Sequence, residues 1–317
     1  MEHTIERIPV TTLVSGEELA LTIHTFRGGP GPRVGVSAAI HGDETVGVEV
    51  VRRLAGVLTD AGDELRGTVR LLPVGNPLAY ETNTRSTVLD QTNLNRIFPG
   101  DPDGWLTEQL AAKISEHYLV DLDAYVDLHA GGAYPVVDYV YLTNAPELSR
   151  AFGSRLLYRP TTRYLGTTGG VAEERGIPAV TVELGGGLFQ EELYARRVLD
   201  GVLNILRHLG VLPGEAKPAP EQILMQELAI LRPHHGGILV PEVRVPDLGR
   251  EVPGGTVLGR IYSPYTFELL EEIRAPFDRS LLVLLRDNLA PIQPGAYMYM
   301  IGNGATAETL PAASSKD

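Results

Sequence analysis

Ala39-Ile40-His41-Gly42-Asp43-Glu44-Thr45 is the stretch that decides how the rest of the chain reads. The apolar run Val34-Gly35-Val36-Ser37-Ala38-Ala39-Ile40 leads into it and has the composition of a buried parallel strand. The run from Val46 to Leu58 leads out of it with helical spacing. A histidine and a carboxylate three residues apart therefore stand where a strand gives way to a helix, the place where open α/β sheets collect ligands. Imidazole and carboxylate both bind Zn²⁺, and a catalytic zinc takes three protein ligands and keeps a fourth position open. Asp127-Leu128-His129, at the end of a second apolar strand, offers the third ligand. On its own His-x-x-Glu is a weak signal, because a surface histidine beside a carboxylate is commonplace.

Outward from this stretch, strands and helices alternate. Strands expected over 5–10 and 19–26 close with the turn Gly28-Gly29-Pro30-Gly31-Pro32. A strand over 33–40, a helix over 44–59 and a strand over 68–74 follow, the last broken by Asn76-Pro77. Residues 81–104 are polar with little periodicity, and a loop of that length inside a compact domain is usually functional. Helices over 105–119, 146–157 and 190–209 then alternate with strands over 124–128, 139–142 and 179–184. The pattern predicts an α/β domain over residues 1–210, a mostly parallel or mixed sheet flanked by helices. Leu212 to Pro220 has linker composition, giving a linker over 211–221. Residues 222–304 are short β-like runs between Gly and Pro, expected as a small all-β sandwich or barrel. Its shape resembles a biotinyl/lipoyl-type carrier domain, but residues 218–315 contain no lysine, so a carrier function is excluded. Residues 305–317 are small and polar and read as a flexible tail.

Composition narrows the chemistry. With 317 residues and 43% hydrophobic content the chain can bury a substantial core. A net charge of −13, with three lysines, argues against nucleic acid or an anionic membrane as the main partner. Any anionic substrate must then be held by placed arginines. Cysteine is absent, so a metal here has only histidine, carboxylate and water to bind. The N-terminus has no basic n-region or apolar h-region, and no apolar run reaches transmembrane length, so a cytoplasmic protein is the expectation. A homo-oligomer is compatible with this composition.

Several motifs follow one another: His41-Gly42-Asp43-Glu44, Asn76-Pro77, Asn93-Leu94-Asn95-Arg96, Asp127-Leu128-His129 and Val182-Glu183-Leu184-Gly185-Gly186-Gly187. In this order they resemble the succinylglutamate desuccinylase/aspartoacylase family, a branch of the zinc-carboxypeptidase-like fold, over roughly residues 33–210. The resemblance implies one zinc per chain held by His41, Glu44 and His129. It also implies Glu183 as general base and acid, Asn95 and Arg96 as a clamp on a substrate carboxylate, and Arg85 as the group that polarises the scissile carbonyl. Elementary chemistry is consistent with those roles. A carboxylate ending an apolar strand is partly desolvated, which raises its pKa toward the range a proton shuttle needs. Arginine's planar fork suits a carboxylate and its permanent charge suits an oxyanion. Asp127 lies two residues before His129 on the same strand face, either as an acceptor behind that histidine or as a structural strand-end carboxylate. His234-His235 reads as a surface turn, since neighbours on a strand point to opposite faces.

Two departures bear on specificity. Asn93 stands where the family carries Asp; it can still accept from a metal-bound histidine but adds no charge. Enzymes of the family that act on acidic acyl-amino acids carry a further arginine ahead of the catalytic glutamate. Around Gly169 this chain has none, with Arg163 and Arg175 as unaligned substitutes and Glu173-Glu174 nearby. The expectation is a zinc-dependent amidohydrolase for an N-acyl amino acid or similar small amide, with one essential carboxylate and a neutral or basic remainder. The alternatives are a metallocarboxypeptidase acting on peptide C-termini and a non-catalytic binding protein.

Overall fold

The computed structural model describes residues 1–187, 191–217 and 219–311. Two antiparallel strands, β1 (Glu2–Thr12) and β2 (Glu18–Arg27), come first, then β3 (Gly29–Ser37). Helix α1 (Val46–Ala61), β4 (Arg66–Leu72), the short α2 (Pro77–Glu81), α3 (Leu106–His117) and β5 (Ala124–His129) follow. Next are β6 (Pro135–Tyr141), α4 (Pro146–Ala151), β7 (Leu156–Tyr158), α5 (Thr168–Glu174), β8 (Ala179–Gly186) and α6 (Glu191–His208). The central order is β1-β2-β4-β3-β5-β8-β6, with β4, β3, β5 and β8 mutually parallel and β6 antiparallel to β8. This is the expected mixed sheet, covered by helices on both faces.

Side-chain alternation along the parallel strands sorts two cores. On one face Val36, Val126, Leu128, Val180 and Val182 pack against α1 and α6 through Val50, Leu54, Val198 and Val202. On the other, Tyr125 and Ala179 pack against α3 and α5 through Leu110, Ile114, Val171 and Ala172. The second face becomes polar only at the strand C-termini, where Ser37 pairs with Asp127 and His129 with Glu183. Period-2 alternation in register therefore aims Asp127, His129, Thr181 and Glu183 into one place.

The C-terminal segment supplies β9 (Glu221–Met225), β10 (Leu228–Leu231), β11 (Gly237–Pro241), β12 (Glu251–Pro253), β13 (Val257–Tyr262), β14 (Leu269–Arg274), β15 (Arg279–Arg286), β16 (Pro291–Ile292), β17 (Tyr299–Asn303) and β18 (Glu308–Pro311). One sheet of its own, β14-β13-β11-β16, packs Leu239, Leu258, Ile261 and Ile273 onto Leu282, Leu285 and Ile301. The rest prolongs the central sheet: β15 pairs with β6, β17 with β15, and β9 with β7. Two stretches differ from the sequence reading. The helix expected over 146–157 ends at Ala151, because Gly153 turns the chain with φ +88° and the apolar Leu156–Tyr158 joins the sheet edge beside β6. Glu308–Pro311, inside the stretch expected as a tail, is a strand paired with β9; residues 312–317 lie outside those described. Among the described residues no helix is long and apolar enough to cross a membrane.

Gly42 fixes the loop after β3 onto α2. A Cβ at this position would overlap the carbonyl of Ala79 and the amide of Tyr80, backbone atoms that cannot swing aside. Gly42→Ala should cost about 1–3 kcal/mol, as overpacking does, and lower Tm by several degrees in a thermal melt. An unchanged Tm would show that the loop is not pinned there.

Candidate functional site

The loop after β3 delivers two of the polar groups. Ala39 takes a left-handed φ of 49°, uncommon for a residue with a Cβ, and the chain turns so that His41 and Glu44 face the end of β5. Glu44 is 2% exposed and lies between two imidazoles, with Oε1 2.8 Å from His41 Nδ1 and Oε2 2.8 Å from His129 Nδ1. The far nitrogens are engaged as well. Asn93 Oδ1 already accepts from the Asn95 N–H, so at 3.2 Å His41 Nε2 donates to it. Asp127 Oδ2 is 2.9 Å from His129 Nε2 and accepts from it. Ser37 and Thr168 hydroxyls also donate to Asp127, which holds that carboxylate rigidly behind the histidine.

These bonds make a chemical statement about the centre. With both Nε2 atoms donating outward, each neutral imidazole turns its Nδ1 lone pair toward a Glu44 oxygen. Lone pair against lone pair at 2.8 Å is repulsive unless a proton or a metal ion sits between them. The ligand atoms of His41, Glu44 and His129 all lie within 4.8 Å of one another. Two imidazoles and a carboxylate, each backed by an outer hydrogen bond, are a donor set that fits zinc.

Charge is unevenly shared among these groups. Burial pushes the Glu44 carboxyl up, but His41 and His129 outweigh it and hold it well below the ordinary range. Burial lowers His129, yet the Asp127 and Glu44 carboxylates more than offset this and raise it well above its usual value. For His41 burial wins, and its pKa falls. Glu183 sits beside His129 at the floor of the cleft. Burial pushes it up to about 8, with Glu44 and Asp127 adding to the shift and His129 opposing it.

These groups line one cavity of about 640 Å³, within the roughly 300–1,000 Å³ usual for small-molecule sites. It contains every residue expected to act: His41, Glu44, Arg85, Asn95, Arg96, His129 and Glu183. Arg85 donates to Glu44 Oε1 at 3.1 Å. Asn95 is buried; its Nδ2 lies 3.3 Å from His129 Nε2, and its Oδ1 accepts from the Thr168 N–H at 3.0 Å. Arg96 is exposed at the rim and donates to the Asn95 carbonyl at 2.6 Å. Arg163 faces the cavity and lies 3.5 Å from Glu173, whereas Arg175 turns away to the carbonyls of Ser115 and Leu119 at the end of α3. His234 and His235 stand apart from the cavity, their backbone N–H groups donating to Glu271.

Sequence reasoning missed other parts of the cavity. Tyr139 pairs with Glu183 across β6 and β8, and its hydroxyl donates to Tyr141 at 2.9 Å. The period-2 spacing of Tyr139 and Tyr141 within an apolar strand was the available signal. Ile230, Leu284, Arg286 and Tyr297 come from the C-terminal segment and close one wall; nothing local in the sequence connects them to it.

The profile of the succinylglutamate desuccinylase/aspartoacylase catalytic domain matches residues 30–209. The chain is 27% identical over 280 residues to the N-alpha-acetyl-L-2,4-diaminobutyric acid deacetylase of Halomonas elongata, covering 83% of this chain and 80% of that one. Among solved structures it superposes on the product-bound ectoine utilization protein EutE (DoeB) of Ruegeria pomeroyi with a TM-score of 0.83 at 25% identity, over 95% of each chain. It superposes on a succinylglutamate desuccinylase from Silicibacter sp. TM1040 with a TM-score of 0.82 at 25% identity, over 95% of this chain and 94% of that one.

Two substitutions separate a ligand from the residue behind it. His41→Ala should leave a folded protein with no stoichiometric zinc by elemental analysis. Asp127→Asn should still bind zinc but roughly 10–100-fold more weakly, the usual cost of losing an outer-shell acceptor, in a chelator competition titration. Full zinc occupancy in His41→Ala would contradict the assignment.

Proposed function

The chain belongs to the succinylglutamate desuccinylase/aspartoacylase family, and on that premise we propose that it is a zinc-dependent deacylase that cleaves the amide of a small N-acyl amino acid. The observation that carries the reading is the convergence of three ligand groups and Glu183 at the ends of adjacent strands, facing one cavity. When bound, zinc polarises the scissile carbonyl and brings the pKa of a water it holds down to about 7. The chain's own residues do the rest. Glu183, raised toward neutrality by burial, takes a proton from the attacking water and returns it to the leaving amine. Arg85, beside Glu44 at the cavity wall, offers a permanent cation to the developing oxyanion. Arg96 at the rim receives the substrate carboxylate, and Asn95 anchors the loop that presents it.

The same geometry bears on which amide. Arg175 is committed to the α3 terminus and Arg163 is offset by Glu173, so neither leaves a free cation at the distal end. The paired Arg163 and Glu173 leave no net charge at that end. This supports a substrate with one essential carboxylate and a neutral or amine-bearing remainder, and the Halomonas relative is named for such a compound, N-acetylated 2,4-diaminobutyrate. The wall built by Leu284, Arg286 and Tyr297 suits a small amide better than a long peptide, which disfavours the carboxypeptidase alternative.

A free-amine assay on zinc-loaded protein over a panel of N-acyl amino acids tests this directly. Glu183→Gln should keep its zinc and its Tm while losing roughly 10²–10⁴-fold in kcat, the range for a positioned acid/base. Near-normal turnover in that variant would assign the proton transfer to another group.

A further inference from the structure

Arg286 is a buried charge with nothing to neutralise it. It ends β15, beside Pro135 of β6, and lines the cavity from the C-terminal wall. The residue is 5% exposed, and its Nε has no hydrogen-bond partner among the described residues. Its guanidinium lies over the Tyr134 ring, 4.7 Å from the centroid. Burial lowers its pKa, and the titratable groups that act on it are the tyrosines Tyr134 and Tyr299, with no carboxylate among them.

The cavity's other arginines differ from it: Arg85 is on Glu44 and Arg163 lies by Glu173, while Arg96 and Arg159 are exposed to solvent. Arginine cannot shed its proton to escape burial, so a dehydrated guanidinium needs an acceptor. Folded proteins pair such groups almost without exception. The acceptor that completes this one has to arrive through the cavity. A planar fork stacked on an aromatic ring matches a planar, anionic, bidentate group.

We propose that Arg286 is the interior carboxylate receptor of the substrate cavity: Arg96 meets the substrate's carboxylate at the rim, and Arg286, on Tyr134, holds it in the dehydrated interior. The C-terminal segment thereby becomes part of the substrate site and a determinant of specificity, more than a cover over it. The inference rests on reading this cavity as the substrate site; it does not depend on turnover.

Binding of compounds that cannot be hydrolysed tests it. Zinc-loaded wild type, Arg286→Gln and Arg286→Lys are titrated calorimetrically with L-alanine, L-aspartate and L-2,4-diaminobutyrate, each beside its α-carboxamide. Wild type should bind at least one of the acids roughly 10–100-fold more tightly than its carboxamide, as loss of a charged hydrogen-bonded pair implies. Arg286→Gln should lose that preference, and Arg286→Lys should keep part of it. Without ligand, Arg286→Gln should melt no lower than wild type, because the substitution removes an uncompensated buried charge. A wild type that binds no acid better than its amide, a preference that survives in Arg286→Gln, or a ligand-free Arg286→Gln that melts well below wild type would each overturn the proposal. A chain that passes this test yet releases no amine from any N-acyl amino acid would sink the deacylase reading and leave the receptor standing.

Discussion

Glu44, a carboxylate buried between two imidazoles, is the constraint on which the rest depends. An ionised carboxylate at 2% exposure is tolerable only if its surroundings supply compensating charge and hydrogen bonds. Here they do: His41 and His129 flank it, Arg85 donates to it, and the Ala130 N–H approaches at 3.2 Å. Each of the two histidines is fixed in turn by a group behind it, Asn93 for His41 and Asp127 for His129. The arrangement works because β3, β5 and β8 are parallel neighbours, so their C-terminal ends open onto one point. A crossing of elements with other register would scatter the same side chains.

Two kinds of electrostatic environment meet in a few ångströms. Around Glu44 and Asp127, paired charges keep carboxyls ionised against burial. At Glu183, on the next strand, burial wins and the pKa climbs to about 8. The proposed deacylase reading needs such a separation, one carboxyl to hold a cation and one to move a proton. The split comes from position along the sheet, since Glu183 faces the cavity and Tyr139 and lacks the two-histidine embrace.

Much of this was legible in the sequence because the metal-ligand candidates are tied to strong local signals. His41, His129 and Glu183 each stand at the end of an apolar run, and strand ends are where such runs show their polar residues. The polar, aperiodic stretch over 81–104 likewise announced itself as functional, and it supplies Arg85, Asn93, Asn95 and Arg96. What escaped was non-local. Arg286 reaches the cavity because β15 adds to β6 antiparallel, a pairing between segments about 150 residues apart that no short-range pattern encodes. The edge strand β18 escaped for a related reason, its β character coming from β9 and not from its own composition. The helix expected over 146–157 was cut short by one glycine whose left-handed turn only tertiary pairing makes worthwhile.

The central claim is that this carboxylate and its two histidines exist to hold zinc. Anomalous diffraction at the zinc edge, from crystals of protein purified without chelator, tests it most directly. The account predicts a single strong peak per chain, bounded by His41 Nδ1, His129 Nδ1 and the Glu44 carboxylate, with Asp127 and Asn93 still on the far nitrogens. No peak at that point from zinc-replete protein, or the principal peak at another site such as His234-His235, would contradict it.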